Sequence, residues 1–205
     1  MRPSRWLLAC GVAVPFLYFA TLGLGGWLTD GYSHVSQYAS ELGITGSPAA
    51  GLFNGGIVLT GLATLLGAIG LFVATRDAGA GRPWPPLAAL CTGLFGVGLV
   101  FGGVFPMPDP RHGGFGLGMA VHLAPFFLAL ALRGDPGRKG LRRYLVVNGV
   151  LMLLLLAPMM GVGGLVTRAN VGAFQRAYAL AMFSWIGVAS WALLRSSTPR
   201  RGAPD

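Results

Sequence analysis

Charged residues and cysteines are scarce in this chain. Asp, Glu, Lys and Arg together make up 10% of its 205 residues. A soluble domain usually carries about a quarter charged residues, so the deficit argues against a water-exposed surface and for lipid as the solvent. The two cysteines, Cys10 and Cys91, both lie inside long apolar segments. A disulfide framework is therefore not indicated.

Long apolar runs take up most of the remaining sequence. Each is close to the ~20 residues that a helix needs to cross about 30 Å of hydrocarbon. The runs cover residues 6–28, 48–74, 86–105, 115–132, 144–166 and 171–194. They predict an all-α fold, a compact polytopic bundle of six transmembrane helices that forms a single domain over residues 1–195. Residues 196–205 are expected to form a disordered basic cytoplasmic tail.

Basic residues alternate between the loops and so predict an orientation. Twelve of the fifteen Lys and Arg residues fall on one side of the predicted membrane: Arg2, Arg5, Arg76, Arg82, Arg133, Arg138, Lys139, Arg142, Arg143, Arg195, Arg200 and Arg201. The positive-inside rule then puts both termini in the cytoplasm of a multi-pass membrane protein.

The net charge of +9 falls wholly on that cytoplasmic side. Anionic lipid headgroups attract such a surface, so membrane lipids are the expected partners. Nucleic acid is not expected as a partner, because no soluble segment interleaves basic residues with stacking aromatic residues.

The segment between the first two runs contains a candidate interfacial helix. Residues Ser33 to Leu42 form a short amphipathic stretch in which Val35, Tyr38, Ala39 and Leu42 fall on one helical face. A helix of this kind would lie flat at the membrane surface.

Glycines within the runs predict close helix packing. Gly51 and Gly55, Gly98 and Gly102, and Gly114 and Gly118 are each four residues apart. This spacing allows backbones to approach in lipid. We expect these glycines to pack helices within one chain and not between two chains, with a homo-oligomer as the alternative. Four tryptophans lie near predicted helix ends, whereas Trp185 is expected to pack inside the bundle.

Polar residues collect at the predicted outer helix ends. They are His34, His112, His122, Asp30, Glu41, Asp109, Asn54, Gln175 and Arg176. Ionisable groups at membrane depth are costly and usually face the bundle interior or a wet cavity. Arg176 is expected to hold Glu41 or Asp109 through a two-point hydrogen bond.

Several short motifs among these residues occur in a familiar order. They are Ser40-Glu41-Leu42-Gly43, Phe53-Asn54-Gly55-Gly56, Gly103-Val104-Phe105-Pro106 with Asp109, then His122, and finally Gln175-Arg176. The chain resembles the bacterial and archaeal membrane-protein family catalogued as domain of unknown function 998, over roughly residues 6–194. The resemblance implies a compact six-helix integral membrane protein of a prokaryotic inner or plasma membrane, with an outward polar cluster. It implies no catalytic residues.

The polar residues predict an outward-facing pocket that binds a lipid headgroup or a small polar or anionic ligand, with transport as an extension. Its predicted lining is Glu41, Asn54, Asp109, His122, Gln175 and Arg176. No cofactor is required, because Arg176 at the start of a helix would hold a phosphate or carboxylate by charge.

Two enzyme hypotheses and a structural one stand beside binding. In a metal-dependent membrane hydrolase acting on lipid-like substrates, Asp109, His112 and His122 would hold zinc and activate water. Serine-based hydrolysis would use Ser36 or Ser40 with a histidine and a carboxylate in reach. Alternatively, the cluster is a purely structural polar network that fixes helix register.

Overall fold

The computed structural model describes residues 3–77, 81 and 83–196. These residues contain helices and no strands, and six segments are long and apolar enough to cross a membrane. The α-helices are α1 (Pro3–Trp27), α2 (Ala50–Asp77), α3 (Trp84–Val104), α4 (Ala124–Ala131), α5 (Lys139–Met159) and α6 (Val171–Ser196). The predicted all-α bundle of six spans is confirmed, and the chain is a multi-pass membrane protein.

Parts of the sequence prediction lie outside the described residues. They are the tail over residues 197–205 and the basic residues Arg2 and Arg82. Two names are used below for the ends of the bundle. The histidine end is where α1 ends and α2 begins, and it carries His34 and His112. The basic end is where α4 ends and α5 begins, and it carries Arg133 and Arg142.

The fourth span is not the continuous helix that was predicted over residues 115–132. The eight residues of α4 rise only about 12 Å at ~1.5 Å per residue, less than half of the hydrocarbon thickness. Before α4, a chain of 3₁₀ turns runs from Pro110 to His122 and is interrupted at Gly114, Phe115 and Gly116, whose φ angles are 54°, 53° and 76°. These left-handed residues end the regular hydrogen-bonding pattern, so this half of the span is held by its neighbours.

The fifth helix also differs from its predicted bounds of 144–166. It begins at Lys139 and ends at Met159. Gly161 and Gly163 follow with φ angles of 88° and 77°. A glycine in the left-handed conformation is a common helix stop, so the apolar residues beyond it do not extend the helix.

The predicted interfacial helix over Ser33–Leu42 is replaced by a turn and a 3₁₀ helix over Ala39–Gly43. The four apolar residues do not share one face. Ala39 and Leu42 are 4% and 1% exposed, whereas Val35 and Tyr38 are 56% and 40% exposed. The backbone nitrogen of Ser33 donates to the side chain of Gln37. Local bonds between side chain and backbone offer an alternative to helical hydrogen bonds and favour turns.

Glycine contacts set how closely the helices approach. The broken half of the fourth span packs on α3, where a Cβ on Gly98 would lie 3.1 Å from the backbone nitrogen of Gly118. This pair packs within the chain, as predicted. Gly51 and Gly55, in contrast, face open space. Trp185 is fully buried in the bundle, also as predicted.

Candidate functional site

The start of α6 holds the segment between α1 and α2 in place. Arg176 Nη1 donates to the carbonyl oxygen of Gln37 at 2.6 Å, and Nη2 donates to the Tyr32 hydroxyl. The guanidinium also lies over the Tyr32 ring, 5.7 Å from its centre. Arg176 therefore binds the backbone and a phenol of this segment.

The predicted pairing of Arg176 with Glu41 or Asp109 is wrong. In the part of the chain that the structure describes, neither carboxylate comes within ion-pair distance of the Arg176 guanidinium. Glu41 instead accepts hydrogen bonds from Tyr38 N at 2.8 Å and from Gln37 Nε2 at 2.9 Å. These bonds turn both carboxylate oxygens of Glu41 back into its own segment.

Both carboxylate oxygens of Asp109 accept hydrogen bonds from its neighbour Arg111. Its oxygens accept from the Arg111 backbone nitrogen at 2.8 Å, from Nε at 3.0 Å and from Nη2 at 2.8 Å. The Arg111 side chain first, and its backbone second, lower the pKa of Asp109 to about 2. Asp109 is therefore an ionised partner of a local turn at the histidine end.

Gln175 and Asn54 add two more anchors to the same segment. Gln175 Oε1 accepts from Ala39 N at 2.7 Å and from Arg176 Nη1 at 3.1 Å. Asn54 Nδ2 donates to the carbonyl oxygen of Gly43 at 2.9 Å. The side chains predicted to face a ligand thus largely fix the backbone of residues 32–43.

Backbone contact brings this segment directly onto α6. Ala173 N donates to the carbonyl oxygen of Val35 at 2.9 Å. A Cβ on Gly172 would lie 2.6 Å from the carbonyl oxygens of both His34 and Gln37. No other residue fits at position 172 without moving the segment, so the glycine determines how closely the two elements dock.

The positive charge of Arg176 affects the pKa values of two side chains in residues 32–43, which are called the docked segment below. Partial burial lowers the pKa of His34 below its usual value, and Arg176 lowers it further. The pKa of Tyr32 is raised, because burial outweighs the opposing effect of Arg176. Both shifts disfavour the charged forms of these side chains.

His122 lies away from this network and is buried between helices. Its Nδ1 is 2.7 Å from the carbonyl oxygen of Met119, and its Nε2 is 2.5 Å from the Tyr178 hydroxyl. Since a carbonyl can only accept, Nδ1 carries the hydrogen and Nε2 accepts from Tyr178. Both ring nitrogens are used, so His122 has none left for a ligand or metal.

The predicted metal ligands Asp109, His112 and His122 are not brought together. Among the described residues, no three His, Cys, Asp or Glu side chains form a group that could hold a metal ion. The donor set among the described residues thus does not fit the zinc site of the hydrolase hypothesis.

A partly open cavity of about 190 Å³ lies at the histidine end, beneath the docked segment. Its lining comes from five of the spans and from that segment: Tyr18, Ala39, Ser40, Phe53, Ile57, Gly98, Leu99, Gly102, His112 and Gln175. Gln175, one of the six residues predicted to border a pocket, is part of this lining. The volume is below the ~300 Å³ at which drug-sized sites begin.

Three polar residues line this cavity: Ser40, His112 and Gln175. His112 Nδ1 lies 2.9 Å from the carbonyl oxygen of Phe105, so Nδ1 carries the hydrogen of the neutral ring and Nε2 is its acceptor. The Ser40 hydroxyl makes a weak bond of 3.6 Å to the Met107 sulfur. Within the described chain, neither His112 Nε2 nor Gln175 Nε2 has a hydrogen-bond partner.

Tyr18 is a lining residue that the sequence did not indicate. It lies in the middle of the apolar run of α1, where a tyrosine carries no distinguishing signal. Its ring stacks on buried Phe183 with 4.0 Å between ring centres. The stack holds Tyr18 against the cavity.

Six spans, a docked polar segment and a small cavity at the histidine end together define an integral membrane protein. A family model described as "Protein of unknown function (DUF998)" matches residues 12–192. The chain belongs to this family, which confirms the resemblance found in its motifs. No curated protein and no solved structure matches the chain.

Proposed function

We propose that the protein binds a small, oxygen-rich polar ligand, of the size of a lipid headgroup, in the cavity at the histidine end. The observation that carries this proposal is that His112, Ser40 and Gln175 line one cavity, with His112 Nε2 and Gln175 Nε2 free of hydrogen bonds within the described chain. They supply an acceptor, a hydroxyl and a donor, which is the mixed set that hydroxyl, carbonyl or phosphate oxygens require.

The broken fourth span supports the same proposal. Non-helical backbone at membrane depth is tolerated where it is buried in protein or lines a wet cavity. His112 lies on the 3₁₀ segment just before Gly114, Phe115 and Gly116. In transporters, ligand sites are typically built on discontinuous helices of this kind, so transport of the bound ligand is the natural extension.

We further propose that the histidine end faces the outside of a bacterial plasma membrane and that both termini are cytoplasmic. The support is the excess of basic residues at the basic end. A single cysteine placed at Gly46 in a variant without Cys10 and Cys91 would react with a membrane-impermeant thiol reagent in intact cells. No reaction there, with reaction after lysis, would overturn the orientation.

The ligand proposal is tested by thermal unfolding of the purified protein with headgroup probes. The free thiols of Cys10 and Cys91 report unfolding through a thiol-reactive dye. The probes are glycerol 3-phosphate, phosphoethanolamine and glycerol. At tenfold the Kd, a bound probe stabilises the protein by about 1.4 kcal/mol, or about 3–6 °C in a chain of this size.

His112→Phe keeps a ring but removes Nε2, and it should abolish the shift. His34→Phe is the matched control, because His34 lies at the same end but does not line the cavity. Stabilisation that persists in His112→Phe, or no stabilisation of the wild type by any of the three probes, contradicts the proposal.

Serine-dependent hydrolysis of a lipid ester or amide is a second candidate function. The observation that favours it is that Ser40 and His112 line the same cavity and that His112 Nε2 is the unprotonated nitrogen. Ser40 Oγ would attack the acyl carbon while His112 Nε2 takes its proton and passes it to the leaving group. Water would then release the acid and restore Ser40.

A fluorophosphonate probe separates hydrolysis from simple binding. A catalytic Ser40 would be labelled in the wild type, and neither Ser40→Ala nor His112→Phe would be labelled. Ser36→Ala is the matched control, since Ser36 does not line the cavity. If the wild-type protein binds a headgroup probe but is not labelled, the cavity binds a ligand without hydrolysing it.

A further inference from the structure

A large groove lies between α4 and α5 at the basic end, at the opposite end of the bundle from the cavity. Its volume is about 790 Å³. The walls are apolar toward the membrane interior, where Phe126, Leu130 and Val147 line it. The mouth carries basic residues at the ends of the two helices: Arg133, Lys139, Arg142 and Arg143.

The four cations at the mouth lack an acidic partner within the described residues. The nearest acid in the connecting loop is Asp135, which accepts from Gly137 N at 2.9 Å and pairs with Arg138 at 3.4 Å. Arg142 Nη1 donates to the carbonyl oxygen of Arg133 at 3.3 Å, so it is oriented without being neutralised. The positive charge of the mouth is therefore available to an anion from outside the chain.

The apolar walls begin about one turn deeper than the cations. Val146 and Val147 lie one turn along α5 from Arg142 and Arg143, and Val147 is 67% exposed. Leu130 lies near the end of α4, about one turn before Arg133. This order, charge at the surface and apolar walls below it, matches the order of groups in a phospholipid.

We propose that this groove is a binding site for an anionic glycerophospholipid of the membrane. The phosphate lies among Arg133, Lys139, Arg142 and Arg143, and an acyl chain lies along Phe126, Leu130 and Val147. Basic pockets between membrane helices are known to recognise anionic headgroups. Arginine matches phosphate oxygens with two parallel donors.

Charge complementarity selects this occupant over others. A zwitterionic lipid would bring its own ammonium group to a mouth that already holds four cations. A protein helix would fill the apolar walls but would leave those cations unpaired unless it carried matching acids. The site is independent of the cavity at the histidine end, so failure of either proposal leaves the other standing.

Photocrosslinking tests the location on the unmodified full-length chain. Wild-type protein is placed in phosphatidylcholine vesicles with a small fraction of phosphatidylglycerol that carries a photoreactive group in one acyl chain. Adducts should concentrate on the peptides with Leu130 and with Val146 and Val147. Excess unlabelled phosphatidylglycerol should remove them, whereas excess phosphatidylcholine should not.

Adducts spread over all lipid-facing helices, or equal competition by both lipids, would overturn the proposal. So would adducts concentrated on exposed apolar positions away from the groove, such as Phe16 on α1.

A charge-removal experiment gives the affinity. Arg142→Gln with Arg143→Gln should lower retention of phosphatidylglycerol, measured by native mass spectrometry of the protein released from mixed-lipid nanodiscs. The expected loss is about thirtyfold, which corresponds to about 1 kcal/mol for each cation.

The matched control is Arg76→Gln with Arg195→Gln, which removes the same charge from the last turns of α2 and α6 at the same end. Retention in this control should change by less than about threefold, since the charges removed lie outside the groove. If both double variants lose lipid retention equally, general surface charge explains the effect, and a specific site is refuted. If the Arg142 and Arg143 variant does not fold, the crosslinking result decides alone.

Discussion

Replacing Arg176 by Gln should release the segment between α1 and α2 while leaving the helices in the membrane. Two charge-assisted bonds cross from α6 to that segment, one to the Gln37 carbonyl and one to the Tyr32 hydroxyl. Hydrogen bonds to a charged group contribute about 1.5 kcal/mol or more each. The free energy needed to open the segment should therefore fall by about 3 kcal/mol.

The predicted change is local and can be read by hydrogen exchange. A loss of about 3 kcal/mol corresponds to exchange roughly 150-fold faster at the protected amides of residues 32–43. Mass spectrometry of the purified protein measures this against a peptide from the middle of α3. The α3 peptide should not change, because its hydrogen bonds do not depend on the docked segment.

Arg111→Gln is the matched control for the loss of one arginine at the same end. Its ion pair with Asp109 is at the surface and stays within one turn, so exchange over residues 32–43 should not change. Arg176→Lys should restore part of the protection, because an ammonium can reach one partner but lacks the planar fork of arginine. Unchanged exchange in Arg176→Gln would refute the anchoring role.

Three further predictions follow from the same contacts. Gly172→Ala should undock the segment as strongly as Arg176→Gln, because the added Cβ meets carbonyl oxygens at 2.6 Å. At Gly51 the added Cβ of Gly51→Ala faces open space, so this variant should stabilise the protein by about 1 kcal/mol. Thermal melts and hydrogen exchange check both variants. By histidine NMR, His34 should titrate below pH 6.5, and its pKa should rise in Arg176→Gln. Because its folded pKa is lowered, His34 contributes stability that is present above about pH 6.5 and is lost as the pH falls through the folded pKa. Tyr178→Phe should cost about 1 kcal/mol by removing the donor to His122, and it should leave probe binding unchanged, since neither residue lines the cavity.

The sequence predicted the spans well because apolar length is a strong signal in a lipid solvent. Its errors fall where local backbone chemistry overrides hydropathy. Phe115 and Gly116 were predicted to begin the fourth apolar helix, but their left-handed conformations break it. The fifth run likewise extends past Gly161, which ends the helix. Hydropathy averages over glycines and does not show which of them leave the helical region of φ and ψ.

The polar residues of the predicted pocket are shared between the docked segment, its anchors and the end cavity, an arrangement that the sequence did not indicate. Polar residues at helix ends could be counted from the sequence, yet their partners could not. Arg176 was matched with carboxylates by charge, whereas the structure gives it a backbone carbonyl and a phenol. Such partners depend on how an irregular segment folds back, which neither charge nor spacing reveals. His112 was recognised as a candidate, but its shared cavity with Ser40 required the tertiary arrangement.

The most direct test of the proposed site is NMR of the protein labelled with ¹⁵N in its three histidine rings. In its neutral form, His112 should carry its hydrogen on Nδ1 and none on Nε2, because Nδ1 donates to the Phe105 carbonyl. Addition of a stabilising headgroup probe should shift the His112 Nε2 signal and leave those of His34 and His122 in place. A His112 signal that does not respond, or one that shows hydrogen on Nε2 in the free protein, would contradict the proposed binding site.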